Sequence, residues 1–376
     1  MAFKLPKYKQ LTDDQRKIVN LPLTSNHLII GGPGTGKTVI AIYRASDMAQ
    51  AGKRVLFLVY NRPLMLYISS AVEKLGIAAD INTWQAWLPS FYREHWGRKH
   101  PQPNGQFSYD WEQIYKDFQA LGKKYDVIIL DEAQDLPHEL IKALTFITET
   151  ISCFMDVNQT VTKTWSTYQD VAEILDVNTQ YPLKQNYRNT KEIFAFAKLY
   201  NPNACEGAQN RSGDKPKMIY TSDYGEEDPS QLTSKMVQYI KRYSYFSSIG
   251  VFTTSQAQAV TYQSLKKHEE EMGIEVFMYK STDAAHRGVD FEKKGVFVLT
   301  YNCIKGLEFD AVIIPRCEAI SKPKDEDDWI SNNKFYVAIS RAAEAVFCFY
   351  FQKTTMRQKI DVFSPLKGHE EIVDWE

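Results

Sequence analysis

The chain has 376 residues, 44% of them hydrophobic and 24% charged, with a net charge of −1. That length suits two domains of ordinary size, and the composition is that of a globular protein with substantial cores. Near-neutral charge excludes a globally basic surface, and no apolar run approaches the roughly 20 residues a membrane helix needs.

In chain order, Leu11-Thr12-Asp13-Asp14-Gln15 comes first. A strand-like run, His27-Leu28-Ile29-Ile30, then feeds Gly31-Gly32-Pro33-Gly34-Thr35-Gly36-Lys37-Thr38, and a helix-patterned segment follows as far as Gly52. A strand entering a glycine turn that opens a helix aims backbone N–H groups and the positive helix end at one point, where polyphosphate binds. Gly32, Pro33, Gly34, Thr35 and Gly36 would line that point, with Lys37 reaching the β/γ-phosphates and the Thr38 hydroxyl on Mg²⁺. Further strands are expected at 54–60, 126–130, 151–155, 249–253, 295–301, 311–315 and 345–351. Their alternation with helical segments predicts parallel α/β sheets covered by helices on both faces.

Residues 84–118 break that rhythm with Trp84, Trp87, Phe91, Tyr92, Trp96 and other aromatics among basic side chains, and read as a small insertion. The run 127–130 is a buried strand ending in Asp131-Glu132-Ala133-Gln134-Asp135. Ligand sites in open α/β sheets lie beyond the carboxyl ends of strands, so these carboxylates are expected to face the phosphate loop. Asp131 would hold Mg²⁺ and Glu132 would act as general base on the attacking water, while Asp135 is placed to cap the next helix. The domains are expected at 1–185 and 186–376. The five cysteines stand singly and the first residues carry no apolar signal core, so a reducing, cytoplasmic setting is expected.

With these residues in place, the chain resembles superfamily 1 helicases of the UvrD/Rep type. Gln15 matches their glutamine motif, which reads adenine, and Arg44 sits where the family places an arginine near the base. Asp156-Val157-Asn158-Gln159 is similar to motif III, in which Gln159 would sense the γ-phosphate. Gln185-Asn186-Tyr187-Arg188 is similar to motif IV: Tyr187 would stack on adenine and Arg188 would reach the γ-phosphate. Lys305-Gly306-Leu307-Glu308 resembles motif V, with Gly306 and Glu308 at the nucleotide. Ser340-Arg341-Ala342 resembles motif VI, with Arg341 as a second phosphate finger.

The resemblance implies two RecA-like P-loop NTPase domains with ATP and Mg²⁺ bound where they meet. It also places single-stranded DNA on Asn61 and Arg62, on Thr83 and Trp84, on Trp165 and near Asn302. Stacking on Trp84 and core packing are equally open, as they are for Trp165. RNA stays open as a track, since phosphate grip and stacking do not read the sugar. Three features depart from the family: Met155 precedes Asp156 where a glycine is usual, Asn302 replaces a histidine, and the two large accessory insertions are absent.

The expected activity is an ATP-dependent single-strand DNA translocase or helicase, moving 3′→5′. The alternative is a nucleic-acid-stimulated ATPase serving as a regulatory or sensing subunit beside a protein partner.

Overall fold

A computed structural model describes residues 5–102, 108–156, 166–202, 207–208, 211–221, 230–280, 282–283, 286, 288–320, 328–351 and 361–376. Gln159 and Trp165 lie outside the described residues. The chain divides into two units, Leu5–Lys184 and, after it, Gln185–Glu376.

The first unit opens with α1 (Asp13–Val19), whose start is set by a capping box. The Thr12 hydroxyl accepts from Gln15 N–H at 3.3 Å, and Gln15 Oε1 accepts from Thr12 N–H at 3.0 Å. There follow β1 (His27–Gly31), α2 (Lys37–Gln50), β2 (Val55–Val59), α3 (Arg62–Lys74), β3 (Asp80–Thr83), α4 (Trp84–Trp96) and α5 (Trp111–Leu121). β4 (Tyr125–Leu130), α6 (His138–Ile147), β5 (Thr148–Met155), α7 (Tyr168–Leu175) and β6 (Gln180–Leu183) complete it. Among the described residues the sheet runs β3-β2-β4-β5-β1-β6, every pair parallel. The run Val55–Val59 is buried throughout, as a strand covered on both faces has to be.

Within 84–118 the described residues form α4 and α5, whose aromatic side chains pack into a core with α6. Trp84, Trp87, Phe91, Tyr92 and Phe118 are at most 5% exposed. Asp135 does not cap the next helix: α6 starts after Pro137 with no side-chain cap, and Asp135 is itself buried in a 3₁₀ turn.

The second unit contains β7 (Gln185–Asn186), α8 (Lys191–Lys198), β8 (Gly207–Ala208), β9 (Lys217–Tyr220), α9 (Ser230–Arg242) and β10 (Ser248–Thr253). Then come α10 (Gln258–Lys266), α11 (Glu269–Met272), β11 (Val276–Met278), β12 (Gly295–Thr300), β13 (Phe309–Ile314), α12 (Asp328–Ile339), β14 (Ala342–Tyr350) and β15 (Asp374–Trp375). Its sheet runs β11-β12-β10-β13-β14-β9-β15, again parallel throughout the described pairs. Residues 249–251, 296–298, 311–313 and 345–349 of its strands supply the apolar core.

Candidate nucleotide and nucleic-acid sites

In the first unit β4, β5 and β1 are neighbours, and their carboxyl ends deliver three groups to one place. The turn after β1 is the glycine loop, with Gly34 at φ +70° and Gly36 at φ +90°, a region that favours glycine. Lys37 opens α2, and its Nζ donates to the Gly31 and Gly32 carbonyls at 2.8 and 2.9 Å while standing 3.6 Å from Asp156 Oδ2. The Thr35 hydroxyl donates to the Gly32 carbonyl at 2.8 Å and holds the loop closed on itself.

Asp131 follows β4, and its N–H donates to the Leu58 carbonyl, carrying the sheet ladder one residue beyond the strand. Its Oδ2 accepts from the Thr38 hydroxyl at 2.6 Å. Complete burial, then the Glu132 carboxylate beside it, push the Asp131 carboxyl above the usual carboxylate range. Glu132 itself has φ +54°, a strained setting for a residue with a side chain. Gln134 accounts for its position: Gln134 Nε2 donates to Glu132 Oε2 at 2.6 Å, and Gln134 Oε1 accepts from Asp156 N–H at 3.0 Å.

The donor set suits Mg²⁺. A hydroxyl and a carboxylate, Thr38 and Asp131, present oxygen at one point. Mg²⁺ is commonly held by one or two such ligands, with phosphate and water completing the shell. Among the described residues no group of three or more His, Cys, Asp or Glu is arranged to hold a metal unaided.

Two residues expected at the base are used differently. Arg44 is fully buried: Nη1 donates to the carbonyls of Ile18, Val19 and Leu21 at 3.0, 3.0 and 3.1 Å, and Nε to Ser152 Oγ at 3.3 Å. These bonds fasten the end of α1 to α2 and β5, and they leave Arg44 Nη2 buried without a hydrogen-bond partner. Gln15 Nε2 donates to the Thr35 carbonyl at 3.1 Å, so its amide braces the loop.

In the second unit, Glu308 and Arg341 stand immediately before the adjacent strands β13 and β14, joined by Phe309 N–H donating to the Arg341 carbonyl at 3.0 Å. Arg188 Nη2 pairs with Glu308 Oε1, and Nη1 donates to the Ser340 carbonyl at 3.0 Å. The turn that carries Arg188 is built by Asn186, whose Oδ1 accepts from the N–H groups of Arg188 and Asn189 at 2.9 and 3.0 Å. Arg341 is buried, with Nε donating to the Val337 carbonyl at 3.1 Å. Tyr187 is half-buried, and Gly306 has φ +76°. The second unit thus brings Arg188, Glu308 and Arg341 into one cluster.

Of the expected strand contacts, Arg62 and Asn302 are exposed and Thr83 is half-buried. Asn61 caps α3, its Oδ1 accepting from Leu64 N–H at 2.9 Å. Trp84 is corrected: it is 5% exposed and packs on Tyr109 with ring centroids 5.4 Å apart, so it has no free face for a base.

Sequence reasoning passed over a cavity of about 240 Å³ in the second unit, at the carboxyl ends of β10 and β12. Thr254, Ser255, Thr300, Asn302 and Lys334 line it, and no described lining residue is acidic. Hydroxyls, an amide and one ammonium suit a phosphodiester. The signal was legible in Thr253-Thr254-Ser255 directly after an apolar strand run, by the argument already used for Asp131.

Residues 24–280 match the family described as Schlafen group 3, DNA/RNA helicase domain. The chain belongs to this family. The matched stretch includes the phosphate loop, the Asp131–Glu132 pair and Arg188, and ends before Glu308 and Arg341.

A curated relative from Acanthamoeba polyphaga mimivirus, named as a candidate ATP-dependent DNA helicase, is 26% identical over 250 residues. That alignment covers 59% of this Schlafen-family chain and 34% of the relative, so the chain spans about a third of the relative's length. Among solved structures, S. cerevisiae Dbp5 bound to RNA and ADP BeF3 is similar, with a TM-score of 0.54 at 14% identity over 98% of this chain and 90% of that one. The likeness is one of fold: two parallel-sheet α/β domains flanked by helices, the RecA-like arrangement the sequence implied. No described helix is long and apolar enough to cross a membrane.

Proposed function

We propose that the chain is an ATP-dependent single-strand DNA translocase or helicase of the UvrD/Rep type that uses Mg²⁺ and moves 3′→5′. One observation carries the reading: Lys37, Thr38, Asp131, Glu132 and Asp156 converge at the ends of adjacent strands in one unit. Phosphoryl transfer needs little covalent help, only placed charge and an oriented water.

Bound Mg²⁺ would neutralise charge on the β- and γ-phosphates, held by Thr38 and Asp131. Lys37 exchanges its contacts with the Gly31 and Gly32 carbonyls for phosphate oxygens. Glu132, fixed by Gln134, orients the attacking water and takes its proton. Arg188 and Arg341 supply positive charge to the γ-phosphoryl oxygens, and Gln159 senses them. Asn61, Arg62 and Thr83 in one unit and the Thr254–Lys334 cavity in the other grip backbone phosphates, while Trp165 stacks on a base. The family's DNA/RNA description keeps RNA as a second track.

The second reading, a nucleic-acid-stimulated ATPase that regulates a partner without processive unwinding, is favoured by α4 and α5. Trp84, Trp87, Phe91, Tyr92 and Phe118 pack into a core, so these rings of the segment do not form a wedge to part a duplex.

The test is ATP hydrolysis with and without single-stranded DNA or RNA, followed by strand displacement on duplexes with 3′ or 5′ tails. Stimulation with displacement from 3′ tails is expected. Absence of any stimulation would sink the motor, and stimulation without displacement would select the regulatory reading.

A further inference from the structure

Arg188 is held on both sides of its backbone, and the hold on its carbonyl comes from a residue outside every motif of the resemblance. Its N–H donates to Asn186 Oδ1 at 2.9 Å, and its carbonyl accepts from Arg211 Nη2. The same Nη2 donates to the Ala343 carbonyl at 2.7 Å, while Arg211 Nη1 pairs with the Glu344 carboxylate. The Arg211 carbonyl accepts from the N–H of Lys191, the first residue of α8, at 2.9 Å. β14 is irregular at this point. Phe309 pairs with Ala342 and Ala311 with Ala345, so Ala343 and Glu344 together face Asp310. A bulge of this kind leaves backbone groups outside the ladder, and Arg211 takes up the Ala343 carbonyl. Its planar fork thereby ties the turn of Arg188 to the start of β14, two residues after Arg341.

We infer that Arg211 is a positioning residue for Arg188, fixing the turn from which that guanidinium reaches the γ-phosphoryl group. The inference rests on the reading of Arg188 as a phosphate finger. The Arg188 side chain bonds Glu308 and the Ser340 carbonyl, and those contacts are exchanged when phosphate is gripped. The backbone bonds to Asn186 and Arg211 are not, so they set where the side chain starts from. A misplacement of about 1 Å can cost on the order of 100-fold in rate. Loss of the Arg211 anchor therefore lowers turnover and leaves ATP binding, carried by the phosphate loop, nearly unchanged.

The test is ATP hydrolysis by the full chain with saturating single-stranded DNA, in the parent, Arg211→Ala, Arg188→Ala and the double variant. Arg211→Ala is expected to lower kcat about tenfold or more, with KM for ATP within about twofold of the parent. The double variant is expected to be no slower than Arg188→Ala alone, because a residue acting through Arg188 adds nothing once Arg188 is gone. Losses that add in full overturn the positioning role. So does an unchanged kcat in Arg211→Ala beside a reduced one in Arg188→Ala. An unchanged kcat in Arg188→Ala, or a parent that hydrolyses no ATP, instead removes the finger reading and the inference with it. Arg211→Lys keeps a cation beside Glu344 and lacks the planar fork, which guards against a misfolded alanine variant. It should keep the parent's unfolding temperature and still show a lowered kcat, and full turnover in it overturns the role.

Discussion

Gln134 joins Glu132 to Asp156, donating to the carboxylate of one at 2.6 Å and accepting from the backbone N–H of the other at 3.0 Å. Asp156 in turn stands 3.6 Å from Lys37 Nζ. The proposed general base and phosphate lysine are therefore linked through Gln134 and Asp156, both buried, so the residues given the most chemistry are also the least free to move.

Gln134→Ala removes one buried hydrogen bond to Glu132 Oε2 and one from Asp156 N–H, at about 1–3 kcal/mol for each. Steady-state hydrolysis should show kcat reduced, with KM for ATP changed much less. An unchanged kcat would mean that Glu132 is positioned by other contacts.

Lys37→Ala and Glu132→Gln should each abolish hydrolysis, and the two should differ in stability. Removing Lys37 takes away the cation 3.6 Å from the fully buried Asp156 carboxylate, and breaking a buried ion pair costs on the order of 3–5 kcal/mol. Thermal unfolding should accordingly fall clearly for Lys37→Ala and little for Glu132→Gln. Near-normal turnover in either variant contradicts the site.

Arg341→Ala should lower kcat while leaving ATP affinity close to that of the parent, because a finger acts on charge that develops in the transition state. Equal losses of binding and turnover, read by labelled-nucleotide titration beside hydrolysis, would count against that role. Arg188→Ala should behave alike, with an added small effect from the unpaired Glu308, which retains partial solvent access.

Trp84→Ala should behave as a core deletion, costing about 3–5 kcal/mol. Trp84→Phe should leave single-strand affinity unchanged. Arg62→Ala, at an exposed position, should leave the unfolding temperature alone, weaken single-strand binding and lower the salt slope by about one. The reverse pattern in a filter-binding salt series would restore Trp84 to the strand path.

Glu318 gives a pH dependence of stability. It is 1% exposed, 3.8 Å from Arg316 Nε, and burial pushes its carboxyl up to about 7. A carboxyl raised in the folded state holds its proton more tightly than the unfolded chain does. Its stabilisation is full below the unfolded value of about 4.5 and is lost as the pH rises through about 7, on the order of 3 kcal/mol in all. Denaturation of the parent and Glu318→Gln across pH 5 to 8 should show that slope in the parent and a flatter one in the variant.

The strand runs at 55–59, 126–130 and 249–253 were legible because a strand buried on both faces is apolar without interruption. The helix starts at Thr12 and Asn61 went unread, although each cap is a contact between residues three apart. β3, β6, β9 and β11 were not legible either, being four residues or fewer, with β3 and β6 at the sheet margins where the apolar pattern is weakest.

The phosphate loop, the carboxylates after β4 and the order of the motifs were determined by sequence alone, because each depends on neighbours along the chain. The roles of Gln15, Arg44 and Trp84 were decided only in three dimensions. A glutamine, an arginine or a tryptophan can read a ligand or hold a core, and the choice rests on partners 20, 26 and 25 positions away, Thr35, Ile18 and Tyr109. Those partners lie far along the chain, and the local sequence carries no trace of them.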